Sequence, residues 1–266
     1  MIRAVERRLR VFAFGGLLSY RALFGWVNPY VFIGVMVIPD LTQIVFFAYL
    51  GRATGIGDDT FFLVGNALVA AAIPGLFGMA DTISDERRTH TLSLLVVSPA
   101  SRLSLFLGRA LPIALNGVAV SVIAFAGGSL ILGVKIPLTA IPALVVVIAV
   151  TAFACTGLGL VNASIGLRQR ESATISNLIF YFLLLAAGVN VPLALLPDWL
   201  ATIAQGLPVT HGAEAARELV AGARLADVAG LLGAELLIGA AYALVGLAAI
   251  RAFELQARRG ASLELA

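Results

Sequence analysis

The sequence predicts an all-α, polytopic membrane protein. Of its 266 residues, 60% are hydrophobic and only 12% are charged, whereas soluble domains carry about 25% charged residues. The mean hydropathy is +1.00, and several apolar runs approach the ~20 residues with which a helix crosses a bilayer. These runs are too many and too long to form one buried core. We therefore expect residues 1–266 to form a single transmembrane domain.

The N-terminal segment, residues 1–27, predicts an amphipathic helix that lies on the membrane surface. Four apolar residues fall roughly on one helical face: Ile2, Val5, Leu9 and Phe12. Arg3, Arg7 and Arg10 lie elsewhere around the helix, as is typical of interfacial helices. A basic start followed by a short apolar run also resembles a signal peptide. However, Arg21 follows the run and no A-x-A site is suitably placed, so we expect no cleavage.

Six membrane-spanning helices follow from the apolar runs. Their approximate bounds are 29–50, 60–81, 105–133, 138–167, 173–192 and 229–251. The third and fourth exceed the ~20 residues needed to cross, so they are tilted or continue into the cytoplasm. The segments that connect or follow the helices are 82–104, 193–228 and the tail 252–266.

Prolines and small residues predict local features of these helices. Pro39 predicts a kink in the first span, and Pro74 followed by Gly75 predicts a loosened second span. Small side chains permit close approach of helices at four positions: Ala71, Gly75, Gly157 and Gly159.

The basic residues are distributed unequally between the two sides of the membrane. Fourteen lie on the side that holds both termini: Arg3, Arg7, Arg8, Arg10, Arg21, Arg87, Arg88, Arg102, Arg109, Arg168, Arg170, Arg251, Arg258 and Arg259. Four lie on the other side: Arg52, Lys135, Arg217 and Arg224. Because Lys and Arg accumulate in cytoplasmic loops, we expect both termini to be cytoplasmic. Lys135 is the only lysine, which suggests a high-GC genome, and we expect a bacterial cell membrane.

The outer segment 193–228 predicts a re-entrant structure. It is too polar and too rich in proline for a full span, but its middle, 197–207, is apolar and contains Trp199. We expect one or two short helices that dip into the outer leaflet, followed by an exposed amphipathic helix near 213–221. Irregular backbone at that depth must be shielded by protein or face a cavity.

The charged stretch DTISDERRTHTLSLLVVSP, residues 81–99, predicts a short amphipathic helix at the cytoplasmic surface. Ser84 can cap its N-terminus, where Asp85 and Glu86 favour the helix dipole. Three apolar residues share one face: Leu92, Leu95 and Val96. Pro99 ends the segment. From these residues alone, the charges could equally serve only to anchor the loop in lipid headgroups.

Several motifs resemble those of the ABC-2 type permeases, the membrane subunits of ATP-driven ABC exporters. Residues 86–99 read E-R-x-x-x-T-L-x-x-L-x-x-S-P, and G-R follows at 108–109. The outer segment contains LPDW and LPVTHGAEAARELVAG, which are also similar to that family. The resemblance covers essentially the whole chain. His90 stands where the family usually has Gly, and a helix tolerates His better than Gly.

The resemblance implies that residues 85–98, between the second and third spans, are the coupling helix that docks on a separate cytoplasmic ATPase subunit. Charged residues would make polar contacts and leucines would pack. The residues expected to carry this contact are Asp85, Glu86, Arg87, Arg88, Thr91, Leu92 and Leu95.

The family also implies a partner and a class of substrate. A second permease chain, identical or homologous, would complete a dimer in the membrane. The substrate would be hydrophobic or amphipathic, such as a drug, antibiotic, lipid or glycolipid, exported by alternating access. Drug or antibiotic efflux, and hence drug resistance, is favoured because the spans are apolar and no soluble glycan-binding domain is attached.

The sequence lacks the sites expected of an ATPase, an intramembrane protease or a metalloenzyme. No G-x-x-x-x-G-K-[ST] loop occurs, so we expect ATP and Mg on the partner ATPase and no cofactor in this chain. The G-x-G-D pattern that opens GIGDD (55–59) lies in a short outer loop and reads as a turn rather than as an intramembrane protease site. His90 and His211 lie on opposite faces and cannot share a metal. We expect no catalytic or metal-binding residues and, with basic residues scattered among spans, no nucleic-acid partner.

Polar residues inside the spans are the candidates for a substrate path. Asp40 lies near the middle of the first span and Glu235 in the outer half of the sixth, and carboxyl groups at such depth usually face protein or water. The amides that add hydrogen-bonding groups are Gln43, Asn66, Asn116, Asn162 and Asn190. The predicted path comprises Asp40, Gln43, Asn66 and Glu235.

Two alternatives to a substrate path are open. Interhelical hydrogen bonding alone would explain the amides. An ion-coupled secondary transporter could use Asp40 and Glu235, although the sequence shows no repeat between its halves, which such transporters usually have.

Overall fold

The computed structural model describes residues 29–81, 102–166 and 172–260. Within these ranges all regular structure is helical, which confirms the all-α prediction. The helices are α1 (Tyr30–Thr54), α2 (Asp59–Asp81), α3 (Arg102–Leu132), α4 (Ile141–Gly166), α5 (Ser172–Ala186), α6 (Asp198–Ala204), α7 (Thr210–Val220) and α8 (Ala229–Gly260). The predicted interfacial helix, 1–27, and the predicted coupling helix, 85–98, lie outside the described residues.

Five of these helices, α1, α2, α3, α4 and α8, are long and apolar enough to cross a membrane. The fifth predicted span, 173–192, is shorter than expected, because α5 ends at Ala186. Gly188 then adopts a left-handed conformation with φ of 70°, and Pro192 follows with an extended backbone. Neither conformation continues a helix. The chain therefore leaves the helix six residues before the predicted end and bends at 187–190.

Two helices form the centre of the arrangement. In the most apolar stretches of α2 and α4, 78% and 67% of the residues are buried, against 17% in both α1 and α8. α4 packs along α8 and also contacts α3, and it packs against the half of α2 that contains Pro74–Gly78. The helix α7 lies against α8, α4 and α2. α2 and α4 are therefore covered by other helices, whereas α1 and α8 present large apolar side chains outward.

Prolines interrupt α1 and α2 as the sequence predicts. A π-helical turn covers Ile33–Val37, directly before Pro39, and another covers Pro74–Gly78. A proline lacks the N–H that would bond four residues back, and its ring clashes with that carbonyl. The helix widens locally as a result.

Glycines bring the central helices close together. A Cβ on Gly75 would lie 2.9 Å from the carbonyl carbon of Cys155, and a Cβ on Gly239 would lie 2.6 Å from Cα of Ala154. A Cβ on Gly159 would overlap the carbonyl oxygen of Gly75. Backbone therefore packs directly on backbone where α4 meets α2 and α8, which confirms the predicted close approach at Gly75 and Gly159.

The turn between α1 and α2 is the GIGDD segment. Gly55 and Gly57 both have positive φ, 72° and 74°, and Asp58 caps α2 by accepting a hydrogen bond from the N–H of Phe61 at 2.8 Å. Asp59 pairs with Arg52, whose Nε donates to Oδ1 at 2.8 Å. Both aspartates thus have structural roles in a turn, as the sequence predicts.

Candidate functional site

An amide chain connects α1, α2 and the bend after α5. Gln43 Nε2 donates to Asn66 Oδ1 at 3.0 Å, and Asn66 Nδ2 donates to Asn190 Oδ1 at 2.8 Å and to the Phe62 carbonyl at 2.9 Å. Asn190 Nδ2 in turn donates to the Leu184 carbonyl at 3.4 Å. Two of the predicted path residues, Gln43 and Asn66, are therefore in direct contact. Buried amides satisfied in this way stabilise helix contacts in a membrane.

Asp40 lies on the same side of α1 as Gln43, one turn closer to the N-terminus. Its side chain faces protein and is only 4% exposed. Its Oδ2 atom is buried and has no hydrogen-bond partner among the described residues. A buried polar atom without a partner is uncommon, because its desolvation is not compensated. Asp40 thus differs from the amides around it, which are bonded to one another.

A second amide approaches α1 one turn before Asp40. Asn116 of α3 donates through Nδ2 to the Met36 sulfur at 3.7 Å, which is a weak acceptor. Further along the helix, a Cβ on Gly127 of α3 would lie 2.8 Å from Cδ2 of Leu41. α3 and α2 therefore both pack on the stretch of α1 that contains Asp40, through Asn116 and Asn66 respectively.

Glu235 is in a different environment. Its side chain is 0% exposed, and both carboxyl oxygens accept backbone hydrogen bonds at the start of α7. Val209 N–H donates to Oε1 at 2.6 Å, and Gly212 N–H donates to Oε2 at 3.2 Å. These are N–H groups that a helix N-terminus leaves without internal partners. Glu235 of α8 therefore acts as a cap for α7.

The backbone of Val209 is strained where Glu235 meets the start of α7. Its φ is 79° and its ψ is −32°, directly before the first residue of α7. This is the left-handed region, which a β-branched residue rarely adopts. The strained backbone directs the Val209 N–H to Glu235, so that a buried hydrogen bond accompanies the unfavourable conformation.

The start of α7 is buried, whereas the sequence predicts an exposed one. Gly212 and Ala213 are both buried, and the position where a Cβ of Gly212 would stand is occupied by Oγ1 of Thr151 in α4. The outward face of α7 carries Glu214 and Glu218, which are exposed. The predicted amphipathic helix is therefore present, but its N-terminus is inserted between α4 and α8.

Arg217 holds α7 on the rest of the protein. Its Nη2 atom donates to the carbonyls of Gly188 at 2.9 Å, Val189 at 3.3 Å and Phe61 at 3.3 Å. The guanidinium carbon lies 3.8 Å from the centroid of the Phe61 ring, a cation–π geometry. Two of these carbonyls belong to the bend that ends α5. Arg217 thus supplies donors to carbonyls of irregular backbone, which would otherwise need another partner.

Burial lowers the pKa of Arg217 to about 10, and the negative charges of Glu214 and Asp58 oppose this shift. The guanidinium consequently stays protonated near neutral pH. Its hydrogen bonds to the carbonyls are charge-assisted, and such bonds are stronger than neutral ones.

The structure therefore divides the four predicted path residues into two groups. Asp40, Gln43 and Asn66 lie where α1 packs against its neighbours. No hydrogen bond in the described part of the chain joins Glu235 to them. Arg217 and Val209 are not among the predicted site residues. Arg217 appears in the sequence only as an outer-side charge, and no sequence signal marks the strain at Val209.

Metal ligands are not grouped in this site. Within 29–81, 102–166 and 172–260, no three His, Cys, Asp or Glu side chains lie close enough together to hold a metal ion. Cys155 is buried and free.

Comparison with known proteins identifies a family. A family model described as ABC-2 family transporter protein matches residues 44–248, which begin inside α1 and end inside α8. No curated protein matches the chain.

Proposed function

Since the chain belongs to the ABC-2 family of transporter proteins, we propose that it is the transmembrane permease subunit of an ATP-driven exporter. The observation that carries this proposal is the extent of the match, which takes in α2 to α7 entirely and parts of α1 and α8. Five helices that can cross a bilayer support a membrane location. Because the sequence contains no P-loop, ATP and Mg bind to a separate cytoplasmic ATPase subunit.

The working assembly contains two permease chains and two ATPase subunits. The second permease is identical or homologous and completes a dimer around a central path. The excess of arginine on one side favours cytoplasmic termini in a bacterial cell membrane. ATP-driven closure of the ATPase subunits switches the path from inward to outward access.

The coupling helix transmits this closure. Residues 85–98 dock into a cleft of the ATPase, with Glu86, Arg87 and Arg88 forming polar contacts and Leu92 and Leu95 packing. A dense set of charges around an apolar stripe fixes both the position and the orientation of a docked helix.

The substrate is hydrophobic or amphipathic, with drug or antibiotic efflux favoured over lipid or glycolipid export. Asp40, Gln43 and Asn66 form the polar part of its path, where α1 meets α2 and α3. Glu235 acts indirectly, because both of its oxygens hold the start of α7. Its role is to keep the outer helix in place across the path.

An ion-coupled secondary transporter is the second candidate, since the buried Asp40 could bind an ion. The bonding of Glu235 argues against this candidate. Its two oxygens accept backbone N–H groups, and a cation would have to displace those bonds.

Reversal of charge in the coupling helix tests the proposed function. Glu86→Lys should lower substrate-stimulated ATP hydrolysis and export by about tenfold or more, because loss of an anchoring contact costs at least about 1.4 kcal/mol of docking free energy. The measurement is the hydrolysis rate of the co-purified complex reconstituted in proteoliposomes.

Glu218→Lys is the matched control. It makes the same change on the exposed face of α7, away from the proposed docking surface, and should leave stimulated hydrolysis within about twofold of the parent protein. Full activity of Glu86→Lys would remove the coupling-helix assignment. Absence of any co-purifying ATPase would favour the secondary transporter.

A further inference from the structure

Asp40 is the polar group whose structural role the described contacts explain least. It is only 4% exposed, its Oδ2 atom has no partner, and no basic side chain forms an ion pair with it in the described ranges. A carboxyl group at this depth usually pairs with another side chain or faces a functional cavity. The missing partner therefore indicates that a donor other than the described residues can complete the site.

The amide hydrogen bonds next to Asp40 all run in the same direction, away from Asp40. Gln43 donates to Asn66, and Asn66 donates to Asn190. Each bond uses an N–H of the residue nearer to Asp40. The Oε1 oxygen of Gln43, one turn from Asp40, consequently accepts no hydrogen bond from the described residues.

The amide on the other side of Asp40 is oriented in the same way, with its N–H group used and its oxygen without a donor. Asn116 uses its N–H to reach the Met36 sulfur, and its Oδ1 atom accepts no bond from the part of the chain that is described. Met36, Asp40 and Gln43 recur at three- and four-residue spacing along α1, so they share a face. Where α1 meets α2 and α3, the chain therefore carries three oxygen acceptors without a described donor, from Asp40, Gln43 and Asn116, together with the apolar side chain of Met36.

We propose that Asp40, Gln43 and Asn116 form a recognition site for the protonated amine of a cationic amphiphile, the class of compound that this permease exports. An ammonium group carries a positive charge and up to three N–H donors, but no acceptor. It therefore supplies what the described residues around Asp40 do not: a countercharge for Asp40 and donors for the two amide oxygens. The export of the amine rests on the proposed function, but binding of the amine can be measured without it.

The first experiment uses the purified full-length permease in lipid nanodiscs. Dicyclohexylcarbodiimide, which modifies carboxyl groups inside membranes, is added with increasing dodecylammonium, dodecanol or Na⁺. Mass spectrometry then quantifies modification at Asp40 and, in the same digest, at Glu235. We expect dodecylammonium to protect Asp40 at concentrations at least about tenfold lower than dodecanol does, and to leave Glu235 unchanged.

The second experiment uses the complex with its ATPase. Asp40→Asn keeps the size of the side chain and removes its charge. It should raise the dodecylammonium concentration that half-maximally stimulates hydrolysis by about tenfold or more and leave stimulation by dodecanol unchanged. Thr42→Ala is the control, because Thr42 is exposed on the opposite side of α1 and bonds only to the Ile38 carbonyl. It should behave as the parent protein does.

Several results would overturn the site. Equal protection by dodecanol, equal protection of Glu235, no protection at all, or unchanged stimulation of Asp40→Asn would each do so. Protection of Asp40 by Na⁺ alone would replace the amine with a coupling ion. Protection by dodecylammonium in a permease that binds no ATPase would support the site and contradict the exporter, so the two failures are distinguishable.

Discussion

At the scale of single residues, Arg217 shows how tertiary structure assigns a role that the sequence does not reveal. In the sequence it is one of four basic residues on the outer side, where a solvated charge would be expected. In the structure its guanidinium caps carbonyls from the end of α5 and the start of α2. These acceptors lie 28–29 and 156 residues away along the chain. No local pattern can identify partners at that separation.

Replacement of Arg217 should destabilise the protein. Arg217→Met keeps much of the apolar stem and removes the donors, which leaves the Gly188 and Val189 carbonyls unpaired. We expect the free energy of unfolding to fall by about 2–4 kcal/mol, since each buried unsatisfied group costs about 1–3 kcal/mol. Unfolding of the purified protein in detergent, followed by circular dichroism, provides the measurement.

Arg224→Met is the matched control for this change. Arg224 pairs with Asp227 at the surface, where its side chain is 84% exposed, and exposed ion pairs contribute about 0–1 kcal/mol. If the two variants lost equal stability, the three carbonyl contacts of Arg217 would not be important for the fold.

Glu235, unlike Arg217, is recognisable from the sequence as a residue that needs a partner. Its depth in the sixth span is apparent from the sequence, and a buried carboxyl group there needs a partner. The identity of that partner is not apparent, because the donors are backbone N–H groups at the strained start of α7. Hydropathy does not show which backbone N–H groups a fold leaves available.

At the scale of elements, sequence reasoning is most successful where a residue type has one dominant physical effect. Pro39 and Pro74 predict disturbed helices, and π-helical turns occur at both places. Glycines at 55 and 57 predict a turn, and both adopt positive φ. The end of α5 is predicted less well. Apolar residues continue past Ala186, and composition alone does not show that Gly188 adopts the left-handed conformation there.

The contact between α4 and α8 can be tested with two glycine substitutions that should change the stability of the protein in opposite directions. A Cβ at Gly239 would lie 2.6 Å from Cα of Ala154, so Gly239→Ala should push the helices apart and cost about 1–3 kcal/mol. Gly233, on the same helix, has nothing within 4 Å of the equivalent position. Gly233→Ala should stabilise the protein by up to about 1 kcal/mol through helix propensity.

Thermal unfolding of the two variants, purified in the same detergent, checks this pair. A melting temperature that falls for Gly239→Ala and rises or stays constant for Gly233→Ala is expected. A rise for both variants would show that α4 and α8 have space between them, and that the glycine is not required for their contact.

At the scale of the whole molecule, the sequence predicts which segments enter the membrane but not how they are layered. The apolar stretches of α1 and α2 have nearly equal hydropathy, 2.0 and 1.9, yet 17% of one and 78% of the other is buried in protein. Lipid tails are as apolar as a protein core, so composition does not separate the two environments. The central position of α2 and α4 depends on glycine contacts and on the buried polar groups described above.

The orientation of the protein in the membrane is predicted from the distribution of basic residues alone. The fourteen arginines on the proposed cytoplasmic side, against four basic residues on the other, favour an arrangement in which positive charge need not cross the bilayer. Because Cys155 is the single cysteine and is buried, a Cys155→Ala parent provides a background without native thiols. Single cysteines can then report the side of each loop.

We expect a membrane-impermeant maleimide to label Ala226→Cys in intact cells, because Ala226 is exposed in the turn between α7 and α8 on the predicted outer side. Ser93→Cys, in the predicted coupling helix, and Ser262→Cys, in the C-terminal tail, should be labelled only after the cells are permeabilised. Labelling of Ser93→Cys and Ser262→Cys in intact cells, with Ala226→Cys protected, would invert the topology. It would also place residues 85–98 out of reach of a cytoplasmic ATPase, so this measurement tests the basis of the coupling mechanism as well as the orientation.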